Sequence, residues 1–242
     1  MEVRLVFLPN AITELPTEIF ERCLSRLNSD SQARIRRFYH REDAWRSLIG
    51  MLLPYNALRD HGSLTENVQF ARTSSGKPYL TSPIDMSFNV SHDKQLIAMV
   101  TSFRVETNLK APGLGIDVMR RKIPKGETIS SFVRAIDSTL SKSELEMFTP
   151  QLDHHTAEKN IFLLWTLKEA YTKALGLGLG FDFERIEYDI PNDVVHIDGI
   201  IPRGWHFIMF EIHPPNATDV YQGAVAHFEA NDETSSLTAL NA

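Results

Sequence analysis

The nine residues from Trp165 to Lys173, WTLKEAYTK, set a glutamate between two lysines in a stretch that reads as a helix. At about 100° per residue, Leu163, Leu164, Leu167, Ala170, Tyr171 and Ala174 gather on one side, the expected core face. Trp165, Lys168, Glu169, Thr172 and Lys173 share the opposite arc, with Glu169 and Lys173 in the favourable i, i+4 order. A solvent-facing ion pair worth about 0.3–0.5 kcal/mol would account for that arc. A carboxylate between ammonium groups is also what a divalent cation and phosphate oxygens need from one helix. Trp165, a large aromatic on the supposedly wet side, suggests that the arc faces something.

A second carboxylate lies in LGIDVM, where strand alternation puts Leu114, Ile116 and Val118 on one face and Gly115, Asp117 and Met119 on the other. Asp is depleted inside strands, so Asp117 is either at a frayed end or matched to a cation or a cluster of donors. With Glu169 it would supply the one or two protein carboxylates that Mg2+ takes when phosphates and water complete its shell. In FNVSHD, Ser91 and His92 are adjacent, so in an extended segment they point to opposite faces and do not make a nucleophile and base. They read either as a turn or cap, or as donors to phosphate. In GKP, Pro78 biases Lys77 toward an extended conformation with its ammonium outward, again an ordinary turn if taken alone. GLGLG, 176–180, follows a helix where nucleotide loops precede one, so it reads as a helix stop and a flexible connection.

The elements that must hold these residues fall into two groups. A first strand at Val3 to Leu8 precedes a helical stretch from about Pro16 to Leu58, rich in basic residues, and then strands in VQFAR, DMSFNVSHD and QLIAMVTS. The polar run RVETNLKAPG, 104–113, is the expected junction. Beyond it come the strand LGIDVM, helices over about 129–148 and 160–175, and strands in FERIEYDI, VVHIDGI, GWHFIMFEIH and YQGAVAHF. The expected fold class is α+β: an N-terminal half at 1–111, a C-terminal half at 112–230, a ligand cleft between them, and a polar, disordered tail at 231–242.

Composition narrows the function. A formal net charge of -6 over 242 residues argues against a general grip on nucleic acid, so any phosphate chemistry must be local. The single cysteine, Cys23, can form neither an intrachain disulfide nor a cysteine-based zinc site. MEVRLVFLPN is too short and too polar for a signal peptide, and no apolar run approaches a membrane span. A cytoplasmic protein without a membrane partner is expected.

In chain order the basic helix, GKP, FNVSHD, GIDVM and WTLKEAYTK follow one another. That order resembles the Sfp-type 4'-phosphopantetheinyl transferases, whose motifs run GKP, FN(I/L)SH, (I/V)G(I/V)D and WxxKE(A/S)xxK. The similarity runs from about Arg34 to Leu179, and RRFYHREDA looks like the stretch at the same relative place in bacterial surfactin-synthetase activators. The resemblance implies a monomer with two similar halves, a pseudo-dimer. It would move the 4'-phosphopantetheine arm from coenzyme A (CoA) to a serine of an acyl or peptidyl carrier protein, releasing adenosine 3',5'-bisphosphate.

Carried over position by position, Asp117 and Glu169 match Mg2+ ligands, with Mn2+ a possible substitute, and Lys77, Ser91, His92, Lys168 and Lys173 match contacts to CoA phosphates. Pro78 completes the GKP turn, Arg34 sits where a basic residue approaches the 3'-phosphate, and Ser47 falls near another CoA contact. Met119 stands where bacterial members often carry a third acid, as in the eukaryotic branch, where water can fill the position. Glu169 is the expected acceptor of the serine proton, with Lys173 on the phosphates, and Glu144 matches an acid that could orient a water. The carrier is expected on the region 119–150, through Arg120, Arg121, Lys122 and an exposed Phe132. A CoA-binding regulatory module and a metal-dependent phosphohydrolase are the competing readings.

Overall fold

The computed structural model describes residues 1–9, 11–65, 68–81, 84–103, 113–177, 180–214 and 218–229. Residues 104–112 of the expected junction, the expected tail at 231–242 and part of GLGLG lie outside them. The chain is α+β, with antiparallel sheets and six α-helices among the described residues.

Strand β1 (Glu2–Phe7) leads into α1 (Thr17–Leu24), α2 (Ser29–Ile35) and α3 (Arg41–Asp60). A short ribbon, β2 (Phe70–Arg72) and β3 (Pro78–Leu80), carries the GKP turn. The hairpin β4 (Met86–Asp93) and β5 (Leu96–Phe103) follows, and the sheet order is β1-β5-β4. The same connectivity recurs. Strand β6 (Leu114–Arg120) is followed by α4 (Ile129–Ala135), α5 (Lys142–Glu146) and α6 (His154–Leu175). Then come the ribbon β7 (Ile186–Asp189) and β8 (Val194–Ile197) and the pair β9 (Trp205–Ile212) and β10 (Tyr221–Phe228), with sheet order β6-β10-β9. Each sheet thus orders its strands first, third, second.

Three apolar clusters hold these layers. One lies under α1–α3, built on Leu24, Ile35, Leu48 and Leu58, and a second lies under α4–α6, built on Ile161, Leu164, Leu167 and Ala170. A third joins the two sheets, with Leu96, Ala98 and Val100 of β5 against Leu114, Ile116 and Val118 of β6. That assigns the expected apolar face of LGIDVM to the contact between sheets, and Asp117 to the α6 side.

Strands β4 and β6 are edge strands of different sheets, yet side chains link them. Asn89 Oδ1 accepts from the Ile116 amide (2.9 Å), Ser91 Oγ from that of Val118 (3.4 Å) and Asp93 Oδ2 from that of Arg120 (2.8 Å). Alternate residues of one strand therefore reach alternate amides of the other, satisfying donors that an open edge would leave bare. On its other side β6 touches α6 so closely that a Cβ at Gly115 would lie 2.0 Å from the Ala170 carbonyl oxygen. This glycine lets the strand bearing Asp117 lie directly against the helix bearing Glu169.

Helix α6 starts six residues earlier than the sequence pattern suggests, because the Asp153 side chain accepts from the Thr156 amide (3.0 Å) and caps it. It ends at Gly176, which takes φ 74°, while the Gly176 amide reaches Lys173 O and the Leu177 amide reaches Thr172 O. Its buried surface is wider than one stripe: Lys168 and Thr172, expected on the wet arc, are 1% and 0% exposed. Trp165 packs edge-on against Phe183 (6.2 Å between ring centres), so on this side the helix faces protein. What stays open is a narrow strip holding Glu169 and Lys173.

Candidate functional site

The centre is where β4, β6 and α6 meet. Ser91, buried on β4, donates its hydroxyl to Asp117 Oδ1 at 2.7 Å. The Lys173 ammonium donates to the same oxygen (2.5 Å) and to Ser91 Oγ (3.1 Å), its side chain 27% exposed. Among the described residues, Asp117 Oδ2 and both Glu169 carboxylate oxygens accept no hydrogen bond. Partial burial raises the Glu169 pKa; Lys173 pulls it back and the Asp117 charge adds to the rise.

This chemistry suits a cation. Two carboxylates, one half-buried, converge with a single ammonium between them, leaving negative charge and free oxygen lone pairs. No group of three or more His, Cys, Asp or Glu poised for a metal occurs among the described residues. Met119 stands two residues after Asp117. A hard divalent cation held by Asp117 and Glu169 would therefore draw its remaining ligands from water and a phosphate-bearing substrate.

Alongside runs a groove of about 440 Å3, walled by α2, α3, β2–β3 and β4. Arg34, Ser47, Pro78 and His92, four of the expected residues, line it. Arg34 meets Met51 Sδ at 3.5 Å, and its pKa is lowered by burial and by the neighbouring Arg72. Neither arginine has a carboxylate partner among the described residues, so two mutually repelling guanidiniums await an anion. His92 marks the end of the groove nearest the carboxylates. Desolvation, then Arg46, then Lys173 lower its pKa, leaving a neutral imidazole able to donate one hydrogen bond.

Arg72 and Arg46 escaped the sequence reading. Arg72 lies four residues before Gly76, whose carbonyl its guanidinium holds at 2.6 Å. A basic residue opening a GKP hairpin was the available signal. Arg46 is held by Asp43 and by Lys94 O (2.8 Å) at the groove wall.

Several expected residues lie elsewhere. Lys168 is not on a phosphate: all three ammonium hydrogens are taken, by Thr139 O (2.8 Å), Glu144 Oε2 (2.6 Å) and Phe183 O (3.1 Å). Glu144 is not a water-orienting acid at the centre. It is 1% exposed and also accepts from the amides of Ser141 (2.8 Å) and Tyr188 (3.0 Å). The Lys77 ammonium, expected outward, turns inward onto three backbone carbonyls. Ser91 faces Asp117 and not the groove. On the expected carrier surface, Arg121 is buried against Glu211 (3.2 Å), Arg120 pairs with Asp219 (3.2 Å), and Phe132 stacks on Phe162.

Comparison with known proteins adds the family. Residues 16–104 match the family model described as 4'-phosphopantetheinyl transferase, N-terminal, and residues 113–223 match the 4'-phosphopantetheinyl transferase superfamily. A 4'-phosphopantetheinyl transferase of Paxillus involutus is 41% identical over 222 residues, covering 89% of this chain and 83% of its own length. A 4'-phosphopantetheinyl transferase of Bacillus subtilis is 27% identical over 186 residues, 76% of this chain and 75% of its own. An L-aminoadipate-semialdehyde dehydrogenase-phosphopantetheinyl transferase of Mus musculus is 27% identical over 170 residues, and there the match spans about half of the relative, 53%.

Proposed function

We propose that this chain, which belongs to the 4'-phosphopantetheinyl transferase family, moves 4'-phosphopantetheine from CoA to a serine of an acyl or peptidyl carrier protein. One observation carries the reading: a two-carboxylate centre short of donors opens beside a groove in which two of three guanidiniums, those of Arg34 and Arg72, have no carboxylate partner among the described residues. Nucleotide phosphates suit Arg34 and Arg72, with Ser47 and Pro78 on the groove walls, and the pyrophosphate then reaches toward His92 and Lys173.

Asp117 and Glu169 are the residues that would hold Mg2+, which neutralises pyrophosphate charge and the developing leaving group. The serine oxygen bonds to the phosphorus that bears the pantetheine arm. The bridging oxygen leaves with adenosine 3',5'-bisphosphate, and the serine proton passes to Glu169. Lys173, with an ammonium hydrogen beyond those given to Asp117 and Ser91, faces the departing phosphate.

For the carrier, the groove between α4, α5 and α6 lies largely within the expected region 119–150 and shifts the candidate contacts from Arg120, Arg121 and Phe132 to its own walls. Its volume is about 720 Å3, with Ile129, Val133, Leu145 and Phe148 on its walls and Arg134 and His154 among its polar groups. Glu127 and Asp137 line it too, so the apolar wall carries the proposal, with the exposed Arg134 as the candidate contact to an acidic carrier domain.

Incubation of the chain with an apo carrier domain, CoA and Mg2+ should add the mass of one phosphopantetheine to the carrier. Adenosine 3',5'-bisphosphate formed equally without carrier would instead mark a phosphohydrolase. CoA binding with no product would mark a regulatory module.

A further inference from the structure

Lys77 belongs to the first half of the chain, on the turn between β2 and β3, yet its ammonium lies in the second half. It donates to Leu114 O on β6 (3.0 Å) and to Lys173 O (2.6 Å) and Ala174 O (3.1 Å) at the end of α6. An ammonium has three hydrogens, so these contacts exhaust it. The last carbonyls of a helix lack partners within it and carry the negative end of its dipole, which favours a cation there. The lysine stem lies alongside the helix cap: a Cβ at Gly176 would meet Lys77 Cδ at 3.7 Å. Burial pushes the lysine pKa down to about 8, the mark of an ammonium held away from water.

The turn that presents Lys77 is itself fixed. The Thr73 amide donates to Lys77 O (2.9 Å), the Lys77 amide to Thr73 Oγ1 (3.1 Å) and the Arg72 guanidinium to Gly76 O (2.6 Å). One short turn thus joins a groove guanidinium, Arg72, to a clamp on the two elements that carry Asp117, Glu169 and Lys173. We infer that Lys77 is a positioning residue that fixes the distance between the groove arginines and the carboxylate centre, rather than a contact to phosphate. The inference deepens the reading given above: it says which residue aligns the bound nucleotide with the reacting phosphorus. With Lys77 removed, the groove still binds CoA, but the pyrophosphate is presented out of line.

The test uses the full chain with Cys23→Ser and spin labels at the exposed Ser74→Cys and His155→Cys positions, read by pulsed dipolar spectroscopy. Lys77→Met should broaden the distance distribution, and Lys77→Arg, whose guanidinium can still reach the carbonyls, should keep it narrow. In the unlabelled chain, Lys77→Met should lower kcat about tenfold to a hundredfold, the scale of an ångström-sized misplacement. The CoA Kd measured by calorimetry should stay within about threefold. An unchanged distance distribution overturns the positioning role whether or not the chain proves to be a transferase. A CoA Kd raised about tenfold or more with kcat intact overturns it in favour of a phosphate contact. Should Lys77→Met fail to fold, Lys77→Gln, which keeps fewer of the three bonds, is read by the same measurements.

Discussion

Two lysine–carboxylate pairs lie little more than a turn apart on one helix and do opposite work. Lys168 meets Glu144 at 2.6 Å and Lys173 meets Asp117 at 2.5 Å. In the first pair both side chains are 1% exposed, every lysine hydrogen is used, and both glutamate oxygens accept from backbone amides as well. In the second pair the lysine is 27% exposed with a hydrogen to spare, and among the described residues one Asp117 oxygen accepts no bond and Glu169, beside it, has no donor of its own. Bond length therefore says little about role. A sealed pair with nothing left over is structural; a pair with unspent donors and acceptors at a cleft is where a substrate and a cation fit.

Breaking each pair in turn is the most direct test of that contrast. Lys168→Met leaves a buried carboxylate unpaired and should cost about 3–5 kcal/mol of stability, read as a shift of the urea midpoint at unchanged slope. Adding Glu144→Gln should recover part of the loss, since the stranded charge is then gone. Lys173→Met, at a site where the lysine is wetter but Asp117 is buried, should cost less than the Lys168 variant, about 1–3 kcal/mol. Comparable losses from the two lysine variants would break the comparison.

The catalytic side comes next in size. Glu169→Gln should leave the unfolding curve in place and lower the single-turnover transfer rate about a hundredfold to a thousandfold, as removal of a reacting-centre electrostatic group does. A variant with full transfer rates would remove Glu169 from the reaction. Arg34→Ala and Arg72→Ala should each weaken CoA binding by about 1.5–3 kcal/mol, the worth of a charge-assisted bond, with kcat at saturating CoA little altered. Calorimetry at two salt concentrations checks this, and a salt-independent loss would argue against phosphate at that site.

The sequence carried the carboxylate centre because simple periodicities govern it. Strand alternation places Asp117 opposite the apolar triplet, and the helical wheel leaves Glu169 and Lys173 on the open strip. The same wheel misassigned Lys168 and Thr172, because α6 is covered on a second side by the segments around Thr139 and Phe183, a contact that no local pattern encodes. Lys77 was expected outward because a turn lysine ordinarily is. Only the packing of the ribbon against the end of α6 reverses it. Ser91 was legible as a site residue but not its partner, since Asp117 is 26 residues away in sequence. The element order was legible almost throughout, and the cap at Asp153 explains the one clear shift of a boundary.

The contrast between spent and unspent charge extends to the surface proposed for the carrier, where the smallest effect is expected. The sequence reading names Arg121 for an acidic partner and passes over Arg134, which lies in the same region. Arg121 is committed to Glu211, its side chain 4% exposed, whereas Arg134 is exposed at the groove beside Val133 with no carboxylate partner among the described residues. Arg134→Glu should raise the carrier KM about threefold to tenfold, mainly through slower association, and leave the CoA Kd unchanged. Arg121→Ala should instead lower stability while sparing the carrier KM, because it removes a buried guanidinium from Glu211, which keeps Lys159 at 2.7 Å, without touching the groove. If Arg121→Ala raises the carrier KM and Arg134→Glu does not, the carrier docks elsewhere, and the free guanidinium at the α4 groove is only a solvated charge.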